Sequence, residues 1–301
     1  MLDMTATCID LKKLSKGAVR RFYDVFEQRG AVSASSADDD EGFKREGIAL
    51  VVGAEVRGLF TYKGFASLHA DTTLYFLAGG VLVENRHTRH HQALIESLIL
   101  KLKTDSKVEI IVSLDRQPMQ QADEVTEAES FWLAQGFSSL DTQIHYQGAS
   151  KSFDVKNKID FSVSEYAGGN EATNLQLCHL YREAYKRRLG IPDVTPDSIN
   201  EQLSIPSCSY LIMHHNRQLI GQVALFISQR ECYVDSIYVK RSYWGMGAAD
   251  KLTHSLFDYA EKKGCQTVSG TAASNNQASR ALMERFGLVA QYQVKRVLLR
   301  L

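Results

Sequence analysis

The sequence predicts an α/β protein built from one duplicated domain. Three observations point there. The chain has 301 residues, and roughly 100–200 residues make a domain. Short stretches of alternating hydrophobicity are interleaved with longer stretches of helical period. The two halves also repeat one order of strands and helices, a pattern to be sought before any other. Hydrophobic residues make up 44% of the chain and charged residues 23%, enough apolar material for real cores.

The elements of the second half follow in order. Residues 160–164 read as a short strand. Residues 171–188 read as a helix, with Leu175, Cys178, Leu180 and Ala184 at helical spacing. Two strands, 210–213 and 219–228, form a hairpin around the turn residues Asn216 and Arg217. A strand at 232–239 precedes an amphipathic helix over 248–263 carrying Ala249, Leu252, Leu256 and Ala260. A strand at 266–269, a helix at 277–286 ended by Gly287, and a tail strand rich in Val and Leu complete the half. The first half repeats this: strand 5–11, helix 18–28, hairpin 48–52 with 56–62, strand 73–83, helix 92–103, strand 108–114, helix 129–135, Gly136 and a last strand. Aligning Val81 with Val239 pairs Leu94 with Leu252, Ser97 with Ser255 and Leu98 with Leu256. The polar stretch 148–158 at mid-chain reads as the linker, giving domains 1–150 and 151–301. The polar stretch SASSADDDEG reads as a surface loop inside the first.

Charge and cysteines narrow the function. Net charge is zero, but residues 1–150 carry −5 and residues 151–301 carry +5. That is too mild for a nucleic-acid footprint and suits either a small polyanionic ligand on the second half or a chance split of surface charge. No uninterrupted apolar run reaches the roughly 18 residues of a membrane span. The start, MLDMTATCIDLKK, has early acids and no apolar core, unlike a signal peptide. None of the five cysteines stands in C-x-x-C spacing, so neither a zinc site nor a disulfide framework is expected. Reduced thiols fit a cytoplasmic protein.

The segment that carries chemistry is 237–252, IYVKRSYWGMGAADKL. A strand ends at Val239, a short loop holds Gly245 and Gly247, and a helix starts near Ala248 with no capping side chain. Glycines let a backbone approach a ligand closely, and the free amides of a first helical turn attract phosphates. A plain strand-to-helix turn is the competing reading. A dinucleotide fingerprint would need glycine where Asp250 stands, and the Gly-Lys-Ser/Thr of a P-loop is absent.

This segment resembles the acetyl-CoA loop of the GNAT acetyltransferase superfamily, whose pattern is Gln/Arg-x-x-Gly-x-Gly/Ala between a strand ending in Val and a helix with Leu three residues on. Here it reads Trp244-Gly245-Met246-Gly247-Ala248-Ala249 and then Leu252, with Trp in the first position. Asn276, Leu282-Met283 and Gly287-Leu288 follow in the family's register. The resemblance covers about 160–301 well and the first half more weakly. It implies two tandem GNAT-like domains, each a mixed, mostly antiparallel sheet flanked by helices, the first degenerate.

Carried over by this resemblance, the backbone of Ile237, Tyr238 and Val239 would pair with the pantetheine arm of acetyl-CoA. The amides of Trp244, Gly245, Met246, Gly247, Ala248 and Ala249 would hold the pyrophosphate. Asn276 and Ser279 would face the cofactor, and two parallel strands would part to seat the acyl group. The family's base is often a carboxylate on the strand before the loop. By alternation Asp235 shares a face with Ile237 and Val239, and is either that base or an acid that bonds a neighbouring loop. Met283 stands where the family has a Tyr as general acid; either Tyr243, Tyr292 or a water protonates the thiolate, or the thiolate leaves unassisted.

In the first half the loop position reads Arg86-His87-Thr88-Arg89-His90-His91, with both glycines replaced, which should block acetyl-CoA there. For these histidines a solvated basic turn reads best, a side-chain phosphate grip second and a metal site last, and no metal is expected. The resulting expectation is an acetyl-CoA-dependent N-acetyltransferase. It would act on a small-molecule or peptide amine by direct attack in a ternary complex, with neither nucleic acid nor membrane as partner. The alternative is a non-catalytic acyl-CoA-binding or scaffold protein.

Overall fold

A computed structural model describes residues 6–28, 46–69, 71–82, 88–103, 107–119, 126–151 and 159–301. The loop read at SASSADDDEG lies outside them. The chain divides into two compact units, one of 1–117, 121–141 and 294–301, the other of 118–120 and 142–293.

The first unit runs β1 (Ala6–Asp10), α1 (Lys16–Gln28), β2 (Glu46–Val52), β3 (Glu55–Ala66), β4 (Thr72–Val81), α2 (Arg89–Leu102), β5 (Lys107–Pro118) and α3 (Glu127–Ala134), and reaches into β6 (Ser138–Ala149). The second continues with β7 (Ser162–Tyr166), α4 (Glu171–Tyr185), α5 (Pro196–Leu203), β8 (Cys208–His215), β9 (Gln218–Ser228), β10 (Glu231–Val239), α6 (Ala248–Lys262), β11 (Thr267–Ala273), α7 (Gln277–Arg285) and β12 (Val289–Arg300). Strand order is β1-β2-β3-β4-β5-β12 in the first and β6-β11-β10-β9-β8-β7 in the second. The hairpins are antiparallel, while β4 with β5 and β10 with β11 run parallel. This is the mixed, mostly antiparallel sheet flanked by helices that the resemblance implied.

Each unit takes its last strand from the far half of the sequence. Val108 and Leu301 exchange two backbone hydrogen bonds at 3.3 and 2.9 Å. Val297 and Leu299 join the core of Leu98, Val112 and Trp132, and Leu298 packs with Leu74 and Ile111. Lys295 Nζ meets Glu129 Oε2 at 2.8 Å, and Arg296 grips both carboxylate oxygens of Asp141 at 2.6 Å. In return, Ile144 and Tyr146 of β6 enter the core of the second unit beside Val268 and Ala272. A cut between residues 150 and 151 therefore misses the units. Hydrophobic alternation shows that a strand ends each half, but not which sheet it joins. Gly148, read as the start of a linker, pairs with Val268 inside β6. A side chain there would meet the carbonyl oxygen of Gly287 at 2.9 Å.

The second unit forms for local reasons. Ala248, Leu252, Leu256 and Ala260 recur every four residues along α6 and are buried, the apolar stripe of a helix laid on a sheet. Asn216 and Arg217 both adopt positive φ, as a two-residue hairpin turn requires. α5 opens with Thr195 in a capping box and Pro196 in its first turn. Asn174, 1% exposed, accepts from the Tyr166 hydroxyl at 2.7 Å and donates to Asn200 Oδ1 at 2.9 Å. That chain of bonds ties β7, α4 and α5 together.

Candidate active site

The site begins where two strands part. β10 and β11 pair only from Glu231–Thr267 to Val234–Gly270. Beyond that point Ser236–Val239 stay with β9, and Thr271–Ala273 stay with β6. The inner edges of both strands then face a gap with no strand between them. Backbone amides and carbonyls on such an edge seek partners.

A bulge marks the place. Val234 pairs with Leu225 and Ser236 with Ala224, so Asp235 is the extra residue. A bulge resets the alternation of a strand. Cys232 and Val234, then Ile237 and Val239, pack into the core that holds α6. Asp235 instead acts electrostatically on Tyr181, Tyr185, Tyr210, Tyr233 and Tyr238. Alternation had set Asp235 on one face with Ile237 and Val239, and the bulge moves it to the opposite face, toward α4.

Asp235 is exposed by accessible area, yet burial raises its carboxyl above the usual range, with desolvation as the sole cause. The two observations describe a groove open to water but walled by protein. Among the described residues no cation compensates the carboxylate, as usually happens for a structural acid. The groove wall is aromatic. Tyr181 and Tyr185 lie 4.7 Å apart between centroids, and each meets the Tyr238 ring edge-on at 5.9 Å. The Tyr181 hydroxyl donates to the carbonyl of Pro192 at 3.1 Å, and the Tyr210 hydroxyl is bonded to Gln202 of α5. Gln222, 2% exposed, is bonded to Tyr238, leaving its Oε1 buried without a partner. Burial raises the Tyr181, Tyr185, Tyr210 and Tyr238 hydroxyls, which stay protonated at neutral pH.

On the other side of the gap lies the glycine loop. A 3-10 turn over Arg241–Tyr243 leads into Trp244, and Gly245 and Gly247 take φ of 74° and 80°. Both are left-handed values that disfavour other residues. Gly247 is the N-cap of α6 and no side chain caps the helix. The first-turn amides thus lack the acceptor that Ser, Thr or Asp usually supplies, and an anion fits there. A side chain at Gly245 would meet nothing within 4 Å, so the loop surface is open. Trp244 and Met246 are exposed and Ala248 is buried. Asp250, in the first turn, is bonded to Arg285 of α7, which offsets an acid near the anion position.

Asn276 and Ser279 lie together at the start of α7, where Asn276 Oδ1 accepts from the Ser279 amide at 3.2 Å. The structure thus gives them a capping role. Met283 packs into the core where the strands part, and a side chain at Gly270 would come 3.3 Å from its methyl. Of the hydroxyls considered as its substitute, Tyr243 packs against Phe161 and His215. Tyr292 stacks on His145 with centroids 4.6 Å apart. Sequence reasoning missed Tyr233, which bonds Thr271 of β11 and shares the face of Asp235. Its spacing two residues before Asp235 was the available signal. The tyrosines of α4 carried none, being some fifty residues away.

The equivalent helix of the first unit, unlike α6, has a side-chain cap. α2 begins with the Thr88 side chain accepting from the His91 amide at 3.5 Å. The His91 ring is buried and stacked on Phe131 with centroids 4.4 Å apart. Arg86 and His87 lie outside the described residues. Among the described residues no group of three His, Cys, Asp or Glu side chains could hold a metal ion, and no helix is long and apolar enough to cross a membrane.

Residues 174–288 match the model of the Acetyltransferase (GNAT) family. No curated protein sequence matches the chain. Among solved structures, the chain is similar to a tandem GNAT protein from the clavulanic acid biosynthesis pathway, with TM-score 0.68, 10% identity and 98% of each chain covered. A GCN5-related N-acetyltransferase from Sphaerobacter thermophilus gives TM-score 0.63 and 13% identity over 98% of this chain and 95% of that one. The glucosamine N-acetyltransferase region of a fungal multi-domain GH3 β-N-acetylglucosaminidase gives 0.74 and 8% identity over 99% of this chain and 38% of that one. The family match thus falls inside the second unit, and the fold of the chain is similar end to end to that of a tandem GNAT protein.

Proposed function

We propose that the second unit transfers an acetyl group from acetyl-CoA to a primary amine, by direct attack in a ternary complex. The observation that carries this reading is the gap between β10 and β11, with uncompensated Asp235 on its floor and an uncapped α6 beside it. Acetyl-CoA is the acyl donor and supplies an activated thioester. The free edge of Ile237, Tyr238 and Val239 holds its extended arm as an added strand would. The amides around Trp244, Gly245, Met246, Gly247, Ala248 and Ala249 receive the pyrophosphate. The cap formed by Asn276 and Ser279 borders the gap from α7. Asp235, with its raised pKa, takes a proton from the acceptor ammonium directly or through water.

Calorimetric titration with acetyl-CoA, followed by thiol release over an amine panel, tests this. One site per chain with turnover supports the reading. A Gly247→Trp variant should lose binding while keeping the fold, and unchanged affinity would put the donor elsewhere. Binding without turnover on any amine would favour a non-catalytic acyl-CoA-binding protein, the reading that Met283 supports.

A further inference from the structure

We infer that the acceptor is an apolar monoamine, whose ammonium is its only charge and whose body lies against the tyrosine wall formed by Tyr181, Tyr185 and Tyr238. This rests on the proposed transferase reading and deepens it at the acceptor side. Among the described residues the groove offers one uncompensated carboxylate, Asp235, at the bulge. Around it stand aromatic rings rather than further acids. Tyr181 and Tyr185 are half-buried, so their rings line the groove while Tyr238 lies beneath them. An ammonium within about 6 Å of such rings is attracted by their faces, and an apolar body gains by covering them.

The surrounding charge excludes other amines. The Arg188 guanidinium lies 5.8 Å from the Tyr185 ring centroid, so that ring already has a cation beside it. Asp193, a nearby acid, is already bonded through both oxygens to Arg182 at 2.8 and 2.7 Å. A polyamine or aminoglycoside would bring several charges to a groove prepared for one. An amino-acid acceptor would bring a carboxylate next to Asp235.

The transfer balances simply. Asp235 removes one proton from the ammonium and releases it to water, the amine nitrogen bonds the acetyl carbon, the carbon–sulfur bond breaks, and the second proton that the nitrogen sheds passes, directly or through water, to the leaving thiolate. The products are the neutral amide and the free thiol.

The test titrates the full chain with 2-phenylethylamine, hexylamine, spermidine and phenylalanine, first alone and then as acceptors with acetyl-CoA. The two monoamines should bind at least tenfold tighter than spermidine or phenylalanine and show kcat/KM at least tenfold higher. Tyr185→Leu keeps bulk and apolarity but removes the ring. It should raise KM for 2-phenylethylamine at least fivefold and leave kcat within about twofold. Equal or better use of spermidine or phenylalanine would overturn the inference, as would Tyr185→Leu weakening all four alike. If no amine is acetylated but 2-phenylethylamine still binds selectively and loses affinity in Tyr185→Leu, the acceptor groove stands and the transferase reading falls. If it does not bind, the groove assignment falls.

Discussion

The indole N–H of Trp244 donates to the carbonyl oxygen of Val239 at 2.9 Å. This bond ties the first residue of the glycine loop to the last residue of β10. Arg241 lies 5.8 Å from the same ring. Trp244→Phe should keep the ring and lose the bond, weakening acetyl-CoA by about fivefold, the worth of one net hydrogen bond. Trp244→Ala should weaken it further. Isothermal titration reads both, and a Phe variant equal to wild type would show the bond does not order the loop.

Asp235→Asn should leave acetyl-CoA affinity unchanged and lower kcat by about 10²–10⁴, the range of general base catalysis. In the wild type, kcat/KM should rise with pH through an apparent pKa above the ordinary carboxylate range, because burial raises this carboxyl. The limb should vanish in the variant.

The same group has the opposite effect on stability. A carboxyl whose pKa is raised on folding favours the folded state below its unfolded pKa, and that contribution is lost as pH rises through the folded value. At pH 7, Asp235→Asn should therefore melt above wild type, and the difference should shrink below about pH 4. An unchanged Tm at pH 7 would show that the charge is not strained.

Gly245→Ala should cost about 1 kcal/mol of stability, because φ is 74° although no atom obstructs a methyl there. Gly245→Asn should cost less, since Asn tolerates this region. Urea denaturation of the three proteins orders them.

Lys295→Met should destabilise the chain by about 3 kcal/mol, because Glu129 is then left as a buried charge. The double variant Glu129→Leu with Lys295→Met should recover most of that loss. A single variant as stable as wild type would show that Ser139, which donates to Glu129 at 3.1 Å, suffices alone.

Sequence patterning revealed what depends on nearest neighbours. The stripe of α6, the turn at Asn216 and Arg217 and the glycine loop all lie within a few residues of their cause. α5 was missed because its eight residues bury only Ile199 and so show no period. The bulge at Asp235 was missed because neither Gly nor Pro marks it, and a single inserted residue was enough to move the proposed base to the other face. The tyrosine wall joins α4, β8 and β10, a convergence that exists only after folding. The exchange of β6 and β12 was hidden for the same reason.

That exchange bears on how the protein is made. A ribosome delivers the chain in order, and the unit whose strands emerge first is the last to be finished. A nascent chain halted before residue 294 already holds every residue of the unit that carries Asp235 and Gly247. Its other unit would wait with the edge of β5 bare, Leu74 and Ile111 lacking the cover of Leu298. Translation pausing or premature termination near the end would then yield chains that bind ligand yet aggregate through that open strand.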